Sequence, residues 1–185
     1  YQQYKTPLMP SQEKYRDLDD RYMEEYHRPT LKEVFNTRKG VNIVREMELV
    51  REQMQEKRWE FLRTHGNSVV GIQVAMEILV YAGNSYTRTQ IDEVVEAIDP
   101  SLRESGVYAE LKEIAENMYP VAKGEKYIDI ELTDIDGKSV RLADYVKPGQ
   151  YNMIEFWASW CGPCRQEMKS LLPIYEELKG DDLEF

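Results

Sequence analysis

The sequence has few of the cysteine and histidine residues that bind structural zinc, and it has no excess of basic residues. Its 185 residues include only two cysteines and two histidines, and its net charge is −10. Proteins bind DNA and RNA through basic patches, so this charge argues against a nucleic-acid partner. No apolar run is long enough to cross a bilayer, and we expect no signal peptide in the first residues given. The two cysteines therefore remain as the main chemical feature of the chain.

Residues 1–119 are predicted to form an all-helical domain, because their apolar residues recur at helical spacing. We expect the first helix to end at Arg28-Pro29, since the residue before a proline disfavours helix. The stretch 68–81 is apolar on nearly all sides, which predicts a helix buried at the centre of the domain. The predicted helices cover residues 11–26, 41–63, 68–81, a helix after a Thr87–Gln90 capping box, and about 105–118.

The helix over 41–63 has one apolar stripe. Its members follow each other at intervals of three and four residues, with Lys57 interrupting the series. They are Ile43, Met47, Val50, Met54 and Phe61. We expect this stripe to pack against neighbouring helices.

The composition changes near Tyr119-Pro120, after which the sequence predicts strands. Ile128, Ile130 and Leu132 alternate with polar residues, as in a half-buried strand, and Asp136-Gly137 is a hairpin turn signal. The run Tyr151–Trp160 predicts a buried strand with Trp157 in the core. A helix is predicted after Cys164, with a buried face made of Met168, Leu171, Leu172, Tyr175 and Leu178, and Leu183–Phe185 resembles the start of another strand.

Both cysteines lie at the predicted strand-to-helix junction, in Trp160-Cys161-Gly162-Pro163-Cys164. A Cys-x-x-Cys pair in this position indicates redox chemistry. The helix N-terminus would stabilise a thiolate at Cys161, which is the attacking nucleophile in disulfide exchange. Cys164 lies within reach to resolve the mixed disulfide. Pro163 suits the first helical turn, and Gly162 lets the chain turn and keeps the sulfur approachable.

Two other uses of the cysteines stay open at this point. The first is half of a zinc site, but structural zinc usually takes four Cys or His ligands, and only His27 and His65, distant in the sequence, could contribute. The second is a static disulfide, which would stabilise little because it closes a very short loop.

The motif, with Ile128–Tyr145 before it and Arg165-Gln166-Glu167 after it, resembles the TlpA/ResA-like branch of the thioredoxin superfamily. These are bacterial thiol–disulfide oxidoreductases exported beyond the cytoplasmic membrane. The resemblance covers roughly the last third of the chain. The expected fold class is therefore α/β, with the all-helical domain followed over residues 120–185 by the N-terminal part of a thioredoxin-like fold.

The resemblance also implies an activity. We expect a thiol–disulfide oxidoreductase, and the Gly162-Pro163 dipeptide favours a reductase. The resemblance also implies that the protein is extracytoplasmic. The redox-active disulfide Cys161–Cys164 would serve in place of any cofactor, and no metal site is expected. The expected partners are protein thiols or disulfides and an upstream electron donor.

Two further residues have expected roles from the same resemblance. Glu155 matches a position that often holds a buried acid, which would relay a proton to or from Cys164. Trp160 is expected to flank the sulfur and to shape the contact surface.

A thioredoxin-like sheet needs further elements after Phe185, including the cis-proline loop that faces the cysteines. We therefore expect a truncated form of a longer protein, with completion of the sheet by another chain as the alternative. The start at Tyr1 rather than Met is expected of a fragment or of a mature form. Two other functions stay open. In one, the helical domain binds a partner and the cysteine domain is its tether. The other, less favoured, is a peroxiredoxin-type peroxidase, whose Pro-x-x-x-Thr-x-x-Cys loop is absent before Cys161.

Overall fold

The computed structural model describes residues 2–180 and 183–184, and it is a mixed α/β structure with helices first and short strands later, as predicted. The chain divides into two compact units. The helical unit is Tyr1–Met23 with Arg38–Ile128, and the cysteine unit is Glu24–Thr37 with Asp129–Phe185. The domain boundary predicted at residues 119–120 stays a prediction.

In the first two-thirds of the chain, most of the described helical segments are α-helices. They are α1 (Gln2–Tyr22), a π-helical segment (Met23–His27), α2 (Arg28–Thr30), α3 (Thr37–His65), α4 (Val69–Ala82), α5 (Arg88–Glu96) and α6 (Gly106–Met118), with short 3₁₀ turns at Gly83–Ser85, Pro100–Leu102 and Tyr119–Val121.

The predicted bounds of the first helix are wrong at both ends. Helix α1 begins at Gln2 and continues through Pro7 and Pro10, because Tyr4 and Leu8 are buried on the face that also holds Leu18. Burial of this face outweighs the intrinsic cost of proline in a helix. The expected end at Arg28-Pro29 also fails. The chain stays helical to Thr30, and Pro29 lies just after the change from the π-helical segment to α2.

Local signals set the other helix starts. The Thr87 hydroxyl accepts from the Gln90 N–H at 3.3 Å, and the Gln90 side-chain oxygen accepts from the Thr87 N–H at 3.0 Å, which confirms the capping box. Ser68 caps α4 by accepting from the Gly71 N–H at 3.0 Å. Ser105 caps α6, close to the predicted start.

Helix α4 lies in the centre of the core but is not buried on every side. Ile72, Ile78 and Leu79 are fully enclosed, whereas Val80 and Tyr81 are exposed at its C-terminal end. The prediction of an all-round buried helix is therefore wrong for the ends of this helix.

The apolar core belongs to the helical unit, because every buried apolar side chain of the described residues lies between Tyr4 and Ala122. The largest enclosed side chains are Leu8, Ile43, Val50, Leu62, Ile72, Val74, Ile78, Leu79, Ile91, Val94, Ile98 and Leu111. Five helices thus contribute to one core.

The described part of the cysteine unit contains short strands and one long helix. Strands β1 (Glu131–Thr133) and β2 (Ser139–Arg141) form an antiparallel hairpin around the predicted Asp136-Gly137 turn, with Leu132 opposite Val140. Strands β3 (Tyr151–Asn152) and β4 (Leu183–Glu184) pair in parallel, and α7 spans Gly162–Leu178. A 3₁₀ turn lies at Leu142–Asp144. Phe185, which was expected in the last strand, lies outside the described residues.

Burial in this unit is lower than predicted. Only Tyr151–Asn152 of the expected buried strand 151–160 pairs, and Phe156 is 77% exposed. Trp157, expected in the core, is also exposed, as are Leu132 in β1 and Met168, Leu172 and Leu178 on α7. Ile128, the last residue of the helical unit, is exposed as well. A strand in a parallel sheet is buried only when helices cover its faces. Among the described residues, β3 pairs with β4, which is only two residues long, so most of the expected strand is not covered.

None of the helices over residues 2–180 combines the length and the apolar character needed to cross a membrane.

Candidate active site

The two cysteines form a disulfide in the described structure. The S–S bond joins Cys161 to Cys164, and their Cα atoms are 5.3 Å apart. Both side chains are half-buried. Both cysteines of the chain therefore lie together at the N-terminal end of α7.

Cys161 is the N-cap residue of α7. Its Sγ accepts from the Cys164 backbone N–H at 3.3 Å, and its carbonyl accepts from the Arg165 N–H at 3.1 Å. On the other side, the Cys161 N–H donates to the Ala158 carbonyl at 3.0 Å. The sulfur thus takes the place of the side-chain oxygen that usually caps a helix. This position also exposes it to the positive end of the helix dipole.

The residues beside the disulfide are open to solvent. Trp160 is 87% exposed, and Gly162 and Pro163 are exposed as well. Pro163 lies in the first turn of α7, where helices have free N–H positions. Gly162 has no positive φ, and a Cβ added there would meet nothing within 4 Å, so the backbone does not require glycine at this position. The disulfide is therefore reachable by a large partner.

Glu155 lies six residues before Cys161 and is half-buried. Among the described residues its carboxylate makes no hydrogen bond and no ion pair. Within the described part of the chain this carboxylate therefore has no fixed partner, and its role as a proton relay stays a prediction.

One contact of the cysteine helix was not predicted. The Gln166 side-chain N–H donates to the Thr30 carbonyl at 3.3 Å, which links α7 to Glu24–Thr37 within the cysteine unit. The two residues are 136 positions apart, so no local sequence signal could have found the contact. Thr30 itself is buried, and its hydroxyl donates to the Tyr26 carbonyl at 2.8 Å.

The zinc alternative finds no support in the described residues. No group of three His, Cys, Asp or Glu side chains is arranged there to hold a metal ion. The His65 ring stacks on Phe61 with centroids 4.1 Å apart, and its Nδ1 lies 2.7 Å from the Thr64 hydroxyl.

A Cys-x-x-Cys disulfide at the start of a helix that follows a strand is the arrangement typical of thioredoxin-like sites. Comparison with known proteins agrees with this class: residues 123–185 match the model of the AhpC/TSA family. The resemblance inferred from the motif is thereby confirmed over this segment.

Curated relatives give a more particular likeness over about the same segment. The chain is 40% identical over 60 residues to the thiol-disulfide oxidoreductase ResA of Geobacillus thermodenitrificans, and 42% identical over 60 residues to that of Geobacillus kaustophilus. It is 31% identical over 61 residues to ResA of Halalkalibacterium halodurans. The aligned part is 31% of this chain and 33% of each Geobacillus protein, so the chain spans about a third of the length of these relatives. No solved structure matches.

Proposed function

We propose that this protein is a thiol–disulfide oxidoreductase that works through Cys161 and Cys164. The observation that supports this most directly is the Cys161 sulfur at the N-terminus of α7, bonded to Cys164 and bordered by exposed residues. The oxidoreductase name of the relatives over the same residues agrees with it.

The proposed reaction starts from the reduced pair. The Cys161 thiolate attacks one sulfur of a protein disulfide, forming a mixed disulfide and releasing the first substrate thiolate. The Cys164 thiolate then attacks Cys161 Sγ and releases the second substrate thiolate. Two electrons pass to the substrate, its two thiolates take up protons, and the pair is left oxidised, as it stands in the structure. An upstream dithiol donor must then reduce the pair again.

We further propose that the protein acts as a reductase and works outside the bacterial cytoplasm. The Gly162-Pro163 dipeptide favours the reducing direction, and the resemblance to exported bacterial oxidoreductases supports the location. Peroxidase chemistry is not favoured. The peroxiredoxin loop would place Pro at position 154 and Thr at position 158, where this chain has Ile154 and Ala158.

The redox equilibrium of the cysteine pair tests the proposal. The chain is equilibrated across ratios of reduced to oxidised glutathione, trapped by alkylation and measured by intact mass. We expect a midpoint near that of thioredoxin, about −270 mV, whereas a midpoint near −120 mV would indicate an oxidant. Thiols that alkylate no faster than an ordinary surface cysteine would contradict the proposed activity for this chain.

Two variants separate enzyme from binding module. Cys161→Ser should abolish reduction of a disulfide substrate such as insulin, and Cys164→Ser should accumulate a mixed disulfide that is visible by mass. If the helical domain were instead a partner-binding module with the cysteine domain as its tether, both variants would leave its binding unchanged.

A further inference from the structure

The helical unit contains a cavity that is separate from the disulfide. It lies between α1, α3 and the C-terminal end of α4 and has a volume of about 560 Å³. This is within the range of pockets that bind small organic molecules, about 300–1,000 Å³. All of its lining residues belong to the helical unit.

Positive charge predominates in the lining. Arg16, Arg51 and Arg58 face a single acidic residue, Asp19. The Arg51 guanidinium donates to the Tyr15 hydroxyl and lies 5.1 Å from the centre of that ring. Among the described residues neither Arg16 nor Arg51 forms an ion pair, so an anion could form hydrogen bonds with both. An excess of unpaired arginines in a cavity favours an anionic ligand.

Arg58 is the buried member of this group and is only 3% exposed. Its Nε donates to Glu77 at 3.4 Å and its Nη1 to the Gln55 side-chain oxygen at 3.3 Å, both of which are long hydrogen bonds. Its Nη2 donates to no residue that the structure describes. The guanidinium lies 4.2 Å from the centre of the Tyr81 ring. A buried arginine with an unused N–H pair at a cavity is a ready donor to a carboxylate.

The rest of the lining restricts the ligand further. Tyr15, Tyr81, Met54 and Val80 offer aromatic and apolar surface beside the arginines. An adjoining cavity shares Arg51 and Tyr81 but is also lined by Glu48 and Glu52. These two carboxylates would repel a second negative charge on the ligand. The ligand should therefore carry one negative charge on an apolar body.

We propose that this cavity binds a small aromatic or apolar monocarboxylate, with its carboxylate among Arg16, Arg51 and Arg58 and its apolar body against Tyr15 and Tyr81. This binding is independent of the cysteine pair, so it holds whether or not the protein exchanges disulfides.

The test titrates the full chain with 3-phenylpropionate and, separately, with its neutral amide, using calorimetry and ¹⁵N–¹H spectra. We expect saturable binding of the acid with shifts at Gln12 and Gln55, which line the cavity, and roughly tenfold weaker binding of the amide, since a charge-assisted hydrogen bond is lost. Phenylsuccinate, with a second carboxylate, should bind more weakly than the monoacid.

Variants at exposed cavity positions complete the test. Arg51→Gln and Arg16→Gln should each weaken binding of the acid by roughly tenfold and leave the amide unaffected. Arg45→Gln, an exposed site on α3 outside the cavity lining, is the matched control and should bind like the parent chain. Equal affinity for acid and amide, no saturation by the acid, or unchanged binding in both variants would overturn the proposal.

Discussion

Two Arg–Glu pairs in the helical unit share one distance but differ in their surroundings. Arg58 and Arg21 each lie 3.4 Å from a glutamate oxygen, of Glu77 and Glu46 respectively. The Arg58 side chain is 4% exposed and that of Arg21 is 47% exposed. Burial removes the water that would otherwise stabilise the cation, so loss of its partner costs more there.

The two glutamates therefore give a matched prediction. We expect Glu77→Gln to lower the free energy of unfolding by about 1–3 kcal/mol, less than for a fully buried pair because Glu77 is itself partly exposed. Glu46→Gln should change it by less than about 0.5 kcal/mol. Urea denaturation followed by circular dichroism measures both. Equal losses in the two variants would show that burial of Arg58 is not what matters.

Tyr119 gives a prediction for alkaline pH. Desolvation, together with donation of its hydroxyl to Asp92 Oδ1 at 2.5 Å, raises the pKa of Tyr119 to about 12. Because the folded pKa lies above the ordinary value of about 10, this contribution to stability is complete below pH 10 and is lost as the pH rises toward 12. The urea midpoint should therefore fall more steeply over about pH 10–11.5 in the parent chain than in Tyr119→Phe. Parallel slopes would contradict this.

Glu155 gives the corresponding test at the candidate active site. If its carboxylate relays a proton to or from Cys164, Glu155→Gln should slow disulfide exchange by roughly tenfold or more while the circular dichroism spectrum stays the same. Glu167→Gln, an exposed glutamate in α7, is the control and should leave the rate unchanged. A Glu155→Gln chain that exchanges at the parent rate would remove the relay from the mechanism.

At the scale of elements, the junction between α3 and α4 depends on a close backbone approach. A Cβ added to Gly71 would lie 2.1 Å from the His65 carbonyl oxygen, at the end of α3, and the obstacle is backbone. Alanine there must push two helices apart. Gly106, in the first turn of α6, has open space around its Cβ direction.

These two glycines should respond in opposite ways to the same substitution. Gly71→Ala is expected to lower the free energy of unfolding by about 2–3 kcal/mol, through overpacking of the helix junction. Gly106→Ala should be neutral or stabilise slightly, because alanine reduces the freedom of the unfolded chain. Thermal melts of the two variants and the parent chain measure this difference in stability. A Gly71→Ala chain as stable as the parent would mean that the α3–α4 junction adapts easily.

Elements with local signals could be predicted from the sequence, and elements held by distant contacts could not. The Thr87–Gln90 box and the Asp136-Gly137 turn involve neighbouring residues, so their structure follows from their chemistry. The start of α1 at Gln2 depends on burial of Tyr4 and Leu8 in a core made by distant helices. Similarly, the apolar stripe of α3 continues from Met54 through Arg58 to Leu62 rather than to Phe61, since Glu77 and Tyr81 make a buried arginine acceptable.

For the candidate site, the sequence predicted the position of the cysteines correctly, but the side chains before them are less buried than predicted. The cysteines stand at the start of α7 as expected, because the strand-to-helix pattern is local. Phe156 and Trp157 are apolar enough for a core, yet both are exposed. Their apolar character does not reveal whether other elements will cover them.

At the scale of the whole molecule, stability should be distributed unevenly. The buried apolar side chains of the described residues lie in the helical unit, while α7 and the short strands bury far less. Opening free energies follow local burial. We expect hydrogen exchange measured by mass spectrometry to find the slowest amides in α4 and α6 and the fastest across residues 153–160. Equal protection in both units would contradict this distribution.

The contact between Gln166 and Thr30 also has a consequence during synthesis. Thr30 is made early, but its partner Gln166 follows only 136 residues later, which at usual elongation rates takes roughly 7–27 s. During that interval the helical unit can already fold, although the segment Glu24–Thr37, between its two parts in the sequence, belongs to the other unit. In the nascent chain the segment Glu24–Thr37 should therefore lack its contact with α7, and stay accessible to chaperones and proteases, until α7 emerges.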